Sequence, residues 1–216
     1  MIPLSMTISW YGHSCFRLES KGTSVLIDPF DKAIGLRPPR HGGDIILVSH
    51  EHSDHNNIAG ASAEAFLVRG PGEYEKSGVY IEGIKSYHDN SEGKERGLNT
   101  IYIIRFEEIR LCHLGDLGQN ELAEEQIKAI GEVDVLFVPV GGNYTIDGIQ
   151  AAKIVGEIEP KIIVPMHYKI PGLTIDIDGP QKFLKEIGLK PEEVETLKIA
   201  KKGLPTEEVK LVMFKV

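Results

Sequence analysis

Residues 49–56 read Ser-His-Glu-His-Ser-Asp-His-Asn, which places three imidazoles and the carboxylate of Asp54 within six consecutive positions. The residues before them, Asp44–Val48, include four apolar side chains in succession and predict a buried strand. His50 and His52 follow that strand at i and i+2, so their side chains point to the same side of the chain. We therefore expect these two histidines to bind one metal ion.

Asp54 and His55 complete the motif as the chain turns, and their side chains are directed elsewhere. This change of direction predicts a second ion beside the first. Imidazole and carboxylate ligands suit zinc, manganese or iron, and an unfilled coordination position would hold an activated water. A lone His-x-His pair is also common in surface loops, but the strand before it and the Asp-His after it favour a metal site.

Further polar residues stand at the ends of predicted strands, which is where α/β folds usually place a site. Three such strands end in histidine or aspartate: Tyr80–Tyr87 at His88, Ile109–Cys112 at His113 and Asp116, and Lys161–Met166 at His167. This recurrence indicates that the ligands of one site come from separate stretches of the chain.

The order of these motifs resembles that of the metallo-β-lactamase superfamily. Its members carry an Asp at the end of an early strand, then His-x-His-x-Asp-His, a lone His, an Asp after Gly, and a final His. The matching residues here are Asp28, His50 to His55, His88, Asp116 and His167, within a resemblance that runs from about Ser9 to Tyr168. Residues 11–16, Tyr-Gly-His-Ser-Cys-Phe, and 113–116, His-Leu-Gly-Asp, resemble more narrowly the branch that contains L-ascorbate-6-phosphate lactonase and many other metal-dependent hydrolases.

The resemblance implies a centre of two divalent metal ions. Zinc is the expected metal, with manganese or iron as alternatives. By analogy, the ligands are His50, His52 and His88 at one ion, Asp54, His55 and His167 at the other, and Asp116 between them. Asp28 matches a position that supports the ligand loop by hydrogen bonds without touching metal. Some redox-active di-iron relatives carry Glu where this chain has His52, and this departure favours hydrolysis over oxygen chemistry.

The implied fold is α/β (α+β), a four-layer αββα sandwich of two mixed β-sheets with the metals at one edge. The implied function is a dinuclear metal-dependent hydrolase, in which a metal-activated hydroxide attacks a small ester, lactone or phosphodiester. Asp54 would orient that water or shuttle its proton. A thioester or glyoxalase-type hydrolase and a non-catalytic metal-binding protein that retains the fold are the alternatives.

Three further histidines have less distinctive surroundings. His113 lies three residues before Asp116, so it either supports the site by a hydrogen bond or is a satisfied core histidine. His13 follows Gly12 in a predicted turn or strand kink, where we expect a structural hydrogen bond. His41 lies in a loop rich in Pro and Gly and is expected to be solvated, with a lid over the site as the alternative.

Four residues are candidates for substrate contacts. Tyr144 and Thr145 lie in a glycine-containing loop after a predicted buried strand, although Thr145 or Asp147 could instead cap the following helix. Lys169 and Arg96 could bind an anionic group, with solvated surface charge as the alternative for both.

Length and composition limit the remaining possibilities. With 216 residues and 41% hydrophobic content, the chain can bury a core as a single domain over residues 1–216. A net charge of −8 without a long Lys/Arg cluster argues against an extended grip on nucleic acid. We expect a small-molecule substrate, and an anionic compound is one option. Whether the protein forms a homo-oligomer stays open.

Periodicity predicts helices near residues 57–65, 121–130, 148–157 and 179–187, and a closing strand over 209–216.

The two cysteines, Cys15 and Cys112, lie in apolar contexts typical of core residues in a reducing compartment. Residues 1–6 lack the basic region and long apolar stretch of a targeting segment. No run approaches the length of a membrane span. We expect a soluble, cytoplasmic protein.

Overall fold

Two β-sheets face each other in this structure, a computed structural model that describes residues 5–40, 42–60 and 62–215. The strands of the first sheet are β1 (Met6–Trp10), β2 (Phe16–Ser20), β3 (Thr23–Ile27), β4 (Ile45–Val48), β5 (Phe66–Arg69) and β13 (Leu197–Ile199). Their order is β13-β1-β2-β3-β4-β5. The strands from β13 to β3 pair antiparallel, whereas β3, β4 and β5 run parallel, so the sheet is mixed.

The second sheet is also mixed. Its strands are β6 (Gly72–Lys76), β7 (Val79–Tyr87), β8 (Leu98–Phe106), β9 (Ile109–His113), β10 (Val135–Pro139), β11 (Ile162–Met166), β12 (Glu192–Val194) and β14 (Lys210–Phe214). They lie in the order β12-β14-β11-β10-β9-β8-β7-β6. The pairs from β6 to β9 are antiparallel, and those from β9 through β10 and β11 to β14 are parallel.

Side-chain alternation divides the apolar residues between two cores. Along β8, Tyr102 and Ile104 pack in the core between the sheets, whereas Ile101 and Ile103 face a second cluster that includes Ile154 and Phe183 of the helices. The helices are α1 (Glu124–Ile130), α2 (Gly148–Ile158) and α3 (Gln181–Ile187). Strands β4, β10 and β11 are buried along their whole length, which explains their uninterrupted apolar sequences.

The expected fold class, two mixed sheets with helices outside them, is confirmed. Three of the four predicted helices are present, with bounds shifted by a few residues at most. The predicted closing strand corresponds to β14, although Val216 lies outside the described residues. Cys15 and Cys112 are buried free thiols, as expected. Among the described residues, no helix is both long and apolar enough to cross a membrane.

The helix predicted near residues 57–65 is wrong, because the described part of this segment forms turns. Asn57 uses its side chain to donate to the Phe30 carbonyl and to accept from the backbone N–H of Ala59. Such local bonds compete with helical hydrogen bonds. Ala61 and His41 lie outside the described residues, so the expectation for His41 stays a prediction.

Tyr102 connects the second sheet to the end of β4. Its side chain is fully buried, and its hydroxyl donates to the Val48 carbonyl at 2.7 Å and accepts from the Gly70 N–H at 3.0 Å. Val48 ends β4 and directly precedes Ser49 and the histidine motif. The hydroxyl therefore fixes the point at which the motif leaves the sheet.

Replacing Tyr102 by Phe should lower the free energy of unfolding by about 1–3 kcal/mol, because the buried Val48 carbonyl and the half-buried Gly70 N–H lose their partner. Urea denaturation would measure the change as a lower midpoint with an unaltered slope. Tyr80→Phe, at a half-exposed position of β7, is the matched control and should change stability by no more than about 0.5 kcal/mol. Equal losses in the two variants would contradict this role of the Tyr102 hydroxyl.

Candidate metal centre

The polar residues predicted at strand ends meet at one edge of the two sheets. Each follows its strand closely: Asp28 after β3, His50 to His55 after β4, His88 after β7, Asp116 after β9 and His167 after β11. Neighbouring strands bring these ends together although the residues span most of the chain. The pattern of strand followed by His or Asp thus corresponds to one cluster in space.

Asp28 organises the segment that carries the histidine motif. Its carboxylate is fully buried and accepts from the Ser49 N–H at 2.8 Å, the Ser49 hydroxyl at 2.6 Å and His55 Nδ1 at 3.0 Å. Burial alone would raise the pKa of Asp28, but the hydrogen bond from His55 and the nearby imidazoles outweigh it and lower the pKa. The carboxylate thereby directs His55 Nε2 away from itself and into the cluster.

Ser49 extends this support to His50. Because the Ser49 hydroxyl donates its proton to Asp28, its oxygen is left to accept from His50 Nδ1, which lies at 3.0 Å. That assignment leaves the lone pair of His50 on Nε2, facing the cluster. The support expected of Asp28 therefore reaches two imidazoles, one directly and one through Ser49.

Asp116 lies at the centre of the cluster. Its Oδ2 is 3.1 Å from His167 Nε2, 3.2 Å from His55 Nε2, 3.3 Å from His88 Nε2 and 3.9 Å from His50 Nε2. Burial alone would raise the pKa of Asp116, but the imidazoles of His167 and His55 outweigh it and hold the pKa well below its usual range. A single carboxylate oxygen thus contacts imidazoles on both sides of the cluster.

The first ligand group, His50, His52 and His88, has its donor atoms within 4.8 Å of one another. His50 Nε2 lies 3.1 Å from His52 Nδ1. His50 and His88 are buried, whereas His52 is exposed. Burial lowers the pKa of His50 to about 3, so its ring is neutral near pH 7 and keeps a lone pair for a metal ion.

The second ligand group, Asp54, His55 and His167, is joined by His13. Nε2 of His13 lies 3.1 Å from both Asp54 Oδ2 and His55 Nε2. The four donor atoms of this set lie within 4.8 Å of one another. His13 was expected to make a structural hydrogen bond, and its Nε2 does lie at hydrogen-bonding distance from Asp54. Sequence reasoning did not reveal that the ring faces the cluster. Its place in the Gly12-His13 turn was visible, whereas the direction of its ring was not.

The donor set fits divalent cations. Two donors about 2.0–2.2 Å from one ion lie roughly 2.8–3.6 Å apart at tetrahedral or octahedral angles, and several spacings above fall in this interval. Asp116 Oδ1 is buried and has no hydrogen-bond partner within the described chain. Burial alone would lower the pKa of His55, but Asp116 and Asp28 raise it. A proton on its Nε2 therefore occupies the place that a cation would take on binding.

Three residues of the cluster have left-handed backbone conformations that side chains other than glycine seldom adopt. They are His13, Asp28 and His167, with φ of 54°, 46° and 50°. Asp and His tolerate this region better than most residues, yet strain of this kind persists only where surrounding contacts fix it. Here it is found where side chains turn from the strand ends towards the cluster.

Gly118, which sequence reasoning did not single out, packs against the backbone of His88. A Cβ atom at this position would collide with the carbonyl group of His88. The Gly118 N–H also donates to the Tyr87 carbonyl at 2.9 Å. The absence of a side chain therefore allows residues 116–118 to approach the end of β7, bringing Asp116 close to His88.

A cleft of about 630 Å³ opens over the cluster. Its lining includes His52, Asp54, His88, Asp116, His167, Arg96, Tyr144, Ile34, Ile175 and Asp176.

Two of the four substrate-contact candidates, Arg96 and Tyr144, are thus at the cleft. Thr145 and Lys169 are not among its lining residues: the Thr145 hydroxyl donates to the Ile146 carbonyl, and Lys169 Nζ donates to the Ile175 carbonyl. Asp147, not Thr145, caps α2.

The loop that follows His88 positions Arg96. The Asp89 carboxylate accepts four backbone N–H bonds, from Ser91, Gly93, Glu95 and Arg96, at 2.7–3.0 Å. The guanidinium of Arg96 then stacks over the Tyr144 ring, with Cζ 4.7 Å from the ring centroid. In the part of the chain that the structure describes, no carboxylate pairs with Arg96, so its charge is available at the cleft.

His113 does not contact the ligand side chains. Its Nε2 donates to the Ser14 carbonyl at 3.0 Å, and its Nδ1 accepts from the Gly115 N–H at 3.1 Å. Both ring nitrogens are therefore satisfied in the core. These bonds join the chain beside His13 to the chain beside Asp116, so the two interpretations offered for His113 are compatible.

Comparison with known proteins shows similarity over most of the chain. Residues 7–167 match the family model described as a beta-lactamase superfamily domain. A UPF0173 metal-dependent hydrolase of Pyrococcus horikoshii is 30% identical over 233 residues, covering 94% of this chain and 99% of the relative. A UPF0173 protein of Pyrococcus furiosus is 34% identical over 206 residues, covering 84% of this chain and 90% of the relative.

A solved structure agrees with these sequence matches. It is a crystal structure from Thermotoga maritima, of a protein assigned to the Zn-dependent hydrolases of the metallo-beta-lactamase superfamily. Its TM-score with this chain is 0.78 at 34% sequence identity, and the match covers 97% of this chain and 98% of that chain.

Replacing Asp28 by Asn should weaken metal binding by about 10- to 100-fold, because His55 loses the anionic acceptor that fixes its tautomer. Competition with a chromogenic zinc chelator would measure the change. Asp44→Asn is the control, since Asp44 accepts from Ser24 at the exposed start of β4, away from the cluster. Unchanged affinity in Asp28→Asn would contradict the supporting role of Asp28.

Proposed function

Since the chain is a metal-dependent hydrolase of the metallo-β-lactamase superfamily, we propose that it uses two divalent metal ions to hydrolyse a small anionic ester, lactone or phosphodiester. The observation that carries the proposal is the position of Asp116. Its Oδ2 lies within 3.3 Å of Nε2 of His88 in the first ligand group and of His55 and His167 in the second. A carboxylate between two sets of donors is suited to contact two neighbouring cations at once.

The family was expected from the ordered motifs, and the comparisons confirm it. The narrower resemblance to the branch of L-ascorbate-6-phosphate lactonase remains our proposal, supported by residues 11–16 and 113–116. Zinc is our first choice of ion, because imidazoles make up most of both ligand groups and zinc accepts them together with carboxylate. Manganese and iron are the alternatives.

Bound divalent cations would supply an activated water as the nucleophile and neutralise the negative charge that develops on the electrophile. Asp54 is the residue best placed to handle the proton of that water. It lies at the cleft, is less buried than Asp116, and directs Oδ2 towards His13 and His55. Burial alone would raise the pKa of Asp54, but the hydrogen bond to His13 and the charge of His55 lower it, so the carboxylate is ionised.

Arg96 and Tyr144 support the anionic character of the substrate. The guanidinium lies at the same cleft as the ligand groups and forms no ion pair with the described residues. Its loop is fixed by the four N–H bonds to Asp89, so the charge is held in place before a ligand arrives. An anionic group of the substrate would contact Arg96 while the scissile group lies over the ligand groups.

The net charge of −8 supports a small-molecule substrate over nucleic acid. A cytoplasmic location stays part of the proposal.

His52→Ala and Asp116→Ala should each lose metal and reduce turnover by at least about a hundredfold, since several kcal/mol of transition-state stabilisation disappears. The assay would use chromogenic phosphodiester, lactone and thioester substrates, with metal removed by chelator and then restored. Glu51→Gln is the control, because Glu51 belongs to the same motif but contacts Asn56 and Arg69.

Each outcome separates the candidates. Turnover that returns with metal, on esters, lactones or phosphodiesters, supports the proposal. Turnover of thioesters alone supports a thioesterase. No turnover in any metal form supports a metal-binding protein without catalysis, and full metal content in His52→Ala or Asp116→Ala contradicts the ligand assignment.

Arg96→Ala should raise KM for an anionic substrate by roughly 10- to 100-fold, because a charge-assisted hydrogen bond contributes about 1.5–3 kcal/mol. Turnover of a neutral substrate of the same reaction class should be unchanged. Lys94→Ala, an exposed cation in the same loop, is the matched control. An equal rise in KM for neutral and anionic substrates would show that Arg96 stabilises the loop and does not bind the anion.

A further inference from the structure

We infer that His13 is an additional ligand of the second metal ion, which it binds through Nε2 together with the second ligand group. This inference rests on the proposed pair of ions. The motif His-x-His-x-Asp-His and the later His and Asp residues account for the other ligands, whereas His13 comes from the turn between β1 and β2. The second ion would then have four protein ligands of its own besides the shared Asp116.

The distances around His13 are those of donors on a single ion. Its Nε2 lies 3.1 Å from Asp54 Oδ2 and 3.1 Å from His55 Nε2, within the spacing expected for two ligands of one cation. Its ring centroid is 4.3 Å from that of His167. All three members of the second ligand group therefore lie next to the His13 ring.

The backbone of His13 is fixed so that the ring faces the cluster. Its carbonyl accepts from the indole Nε1 of Trp10 at 3.0 Å and from the N–H of His167 at 3.1 Å. These bonds hold a left-handed conformation, φ 54°, that is unfavourable for a residue with a side chain. His13 and His167 are thus connected through the backbone as well as through their rings.

A simple hydrogen bond explains less of this geometry. A proton on His13 Nε2 would satisfy Asp54, but His55 Nε2 lies equally close and also points at the group. Nδ1 of His13 is buried without a partner among the described residues, as it is in His88 and His167 of the two ligand groups. A cation among these donors interacts with all of them at once, which one proton does not.

An extra ligand would make the two ions unequal. Two members of each ligand group line the cleft, His52 and His88 of the first and Asp54 and His167 of the second, whereas His13 and His55 are fully buried. With His13, the second ion would have four ligands of its own, whereas the first would have three. The second ion would be held more tightly and more fully coordinated. Open coordination positions for substrate would then belong mainly to the first ion.

Cadmium binding observed by NMR tests the inference on the unaltered protein. With 113Cd in both sites and 15N-labelled histidine, a nitrogen bonded to metal shows a scalar coupling to cadmium. We expect this coupling at His13 Nε2 as well as at the histidines of both ligand groups. Couplings at His55 and His167 without one at His13 would overturn the inference and leave the proposed function intact. Loss of coupling across the whole second ligand group would instead contradict the pair of ions.

A variant gives an independent measurement. His13→Asn removes the imidazole while keeping a residue type that tolerates the left-handed backbone. We expect its second ion to bind at least about tenfold more weakly, so that chelator dialysis leaves one zinc per chain under conditions in which the unaltered protein keeps two. Ser14→Ala is the control, since Ser14 is buried in the same turn and lies outside the donor set. Two tightly bound zinc ions in folded His13→Asn, verified by circular dichroism, would contradict the inference.

Discussion

The carboxylate of Asp116, which is 2% exposed, lies among the imidazoles of four histidines. The rest of the centre depends on this contact. A buried charge of this kind is costly unless it is paired. Its pairing draws together the ends of β4, β7, β9 and β11, so the electrostatic requirement and the packing of the sheets converge on the same edge. The Asp116 N–H is in turn held by the side chain of Asn99, whose amide also donates to Leu114 and Ser86. The position of the carboxylate is therefore set by the second sheet before any cation binds.

The first sheet contributes the opposing half of the centre through Asp28. Residues 45–48 form a strand buried on both faces, and this rigid strand ends where Ser49 bonds to Asp28. The motif that follows is only six residues long, yet it contributes ligands to both groups because the chain turns at residues 53–55. The imidazole of His55 lies between Asp28 and Asp116, one from each sheet. Metal binding and the packing of the two sheets are consequently linked through one side chain.

Much of this arrangement was predictable from the sequence, because the ligands of the two groups occupy strand ends and strand ends are visible as changes from apolar to polar residues. The same reasoning failed where a contact depends on the direction of a side chain and not on the position of its residue in the sequence. His13 has no flanking motif of its own, and only the left-handed turn reveals that its ring faces Asp54. Arg96 and Lys169 looked alike as cations near the site, but Arg96 is oriented by the bonds to Asp89, whereas Lys169 bonds to a backbone carbonyl. The predicted helix near residues 57–65 failed because Asn57 satisfies the backbone locally.

His88 and Asp89 are consecutive, and this adjacency connects the proposed metal centre to Arg96, the residue that we propose binds the substrate anion. The first provides a donor to the cluster, while the second folds residues 91–96 around its carboxylate and so sets the direction of Arg96. A change within residues 90–97 that preserves the four bonds to Asp89 would alter the charge and shape of the cleft without moving an imidazole. The imidazole of His88 and the guanidinium of Arg96 are thus separate parts of one short segment. Because fold and metal centre do not by themselves select a substrate, such a loop is where hydrolases built on the same centre can differ.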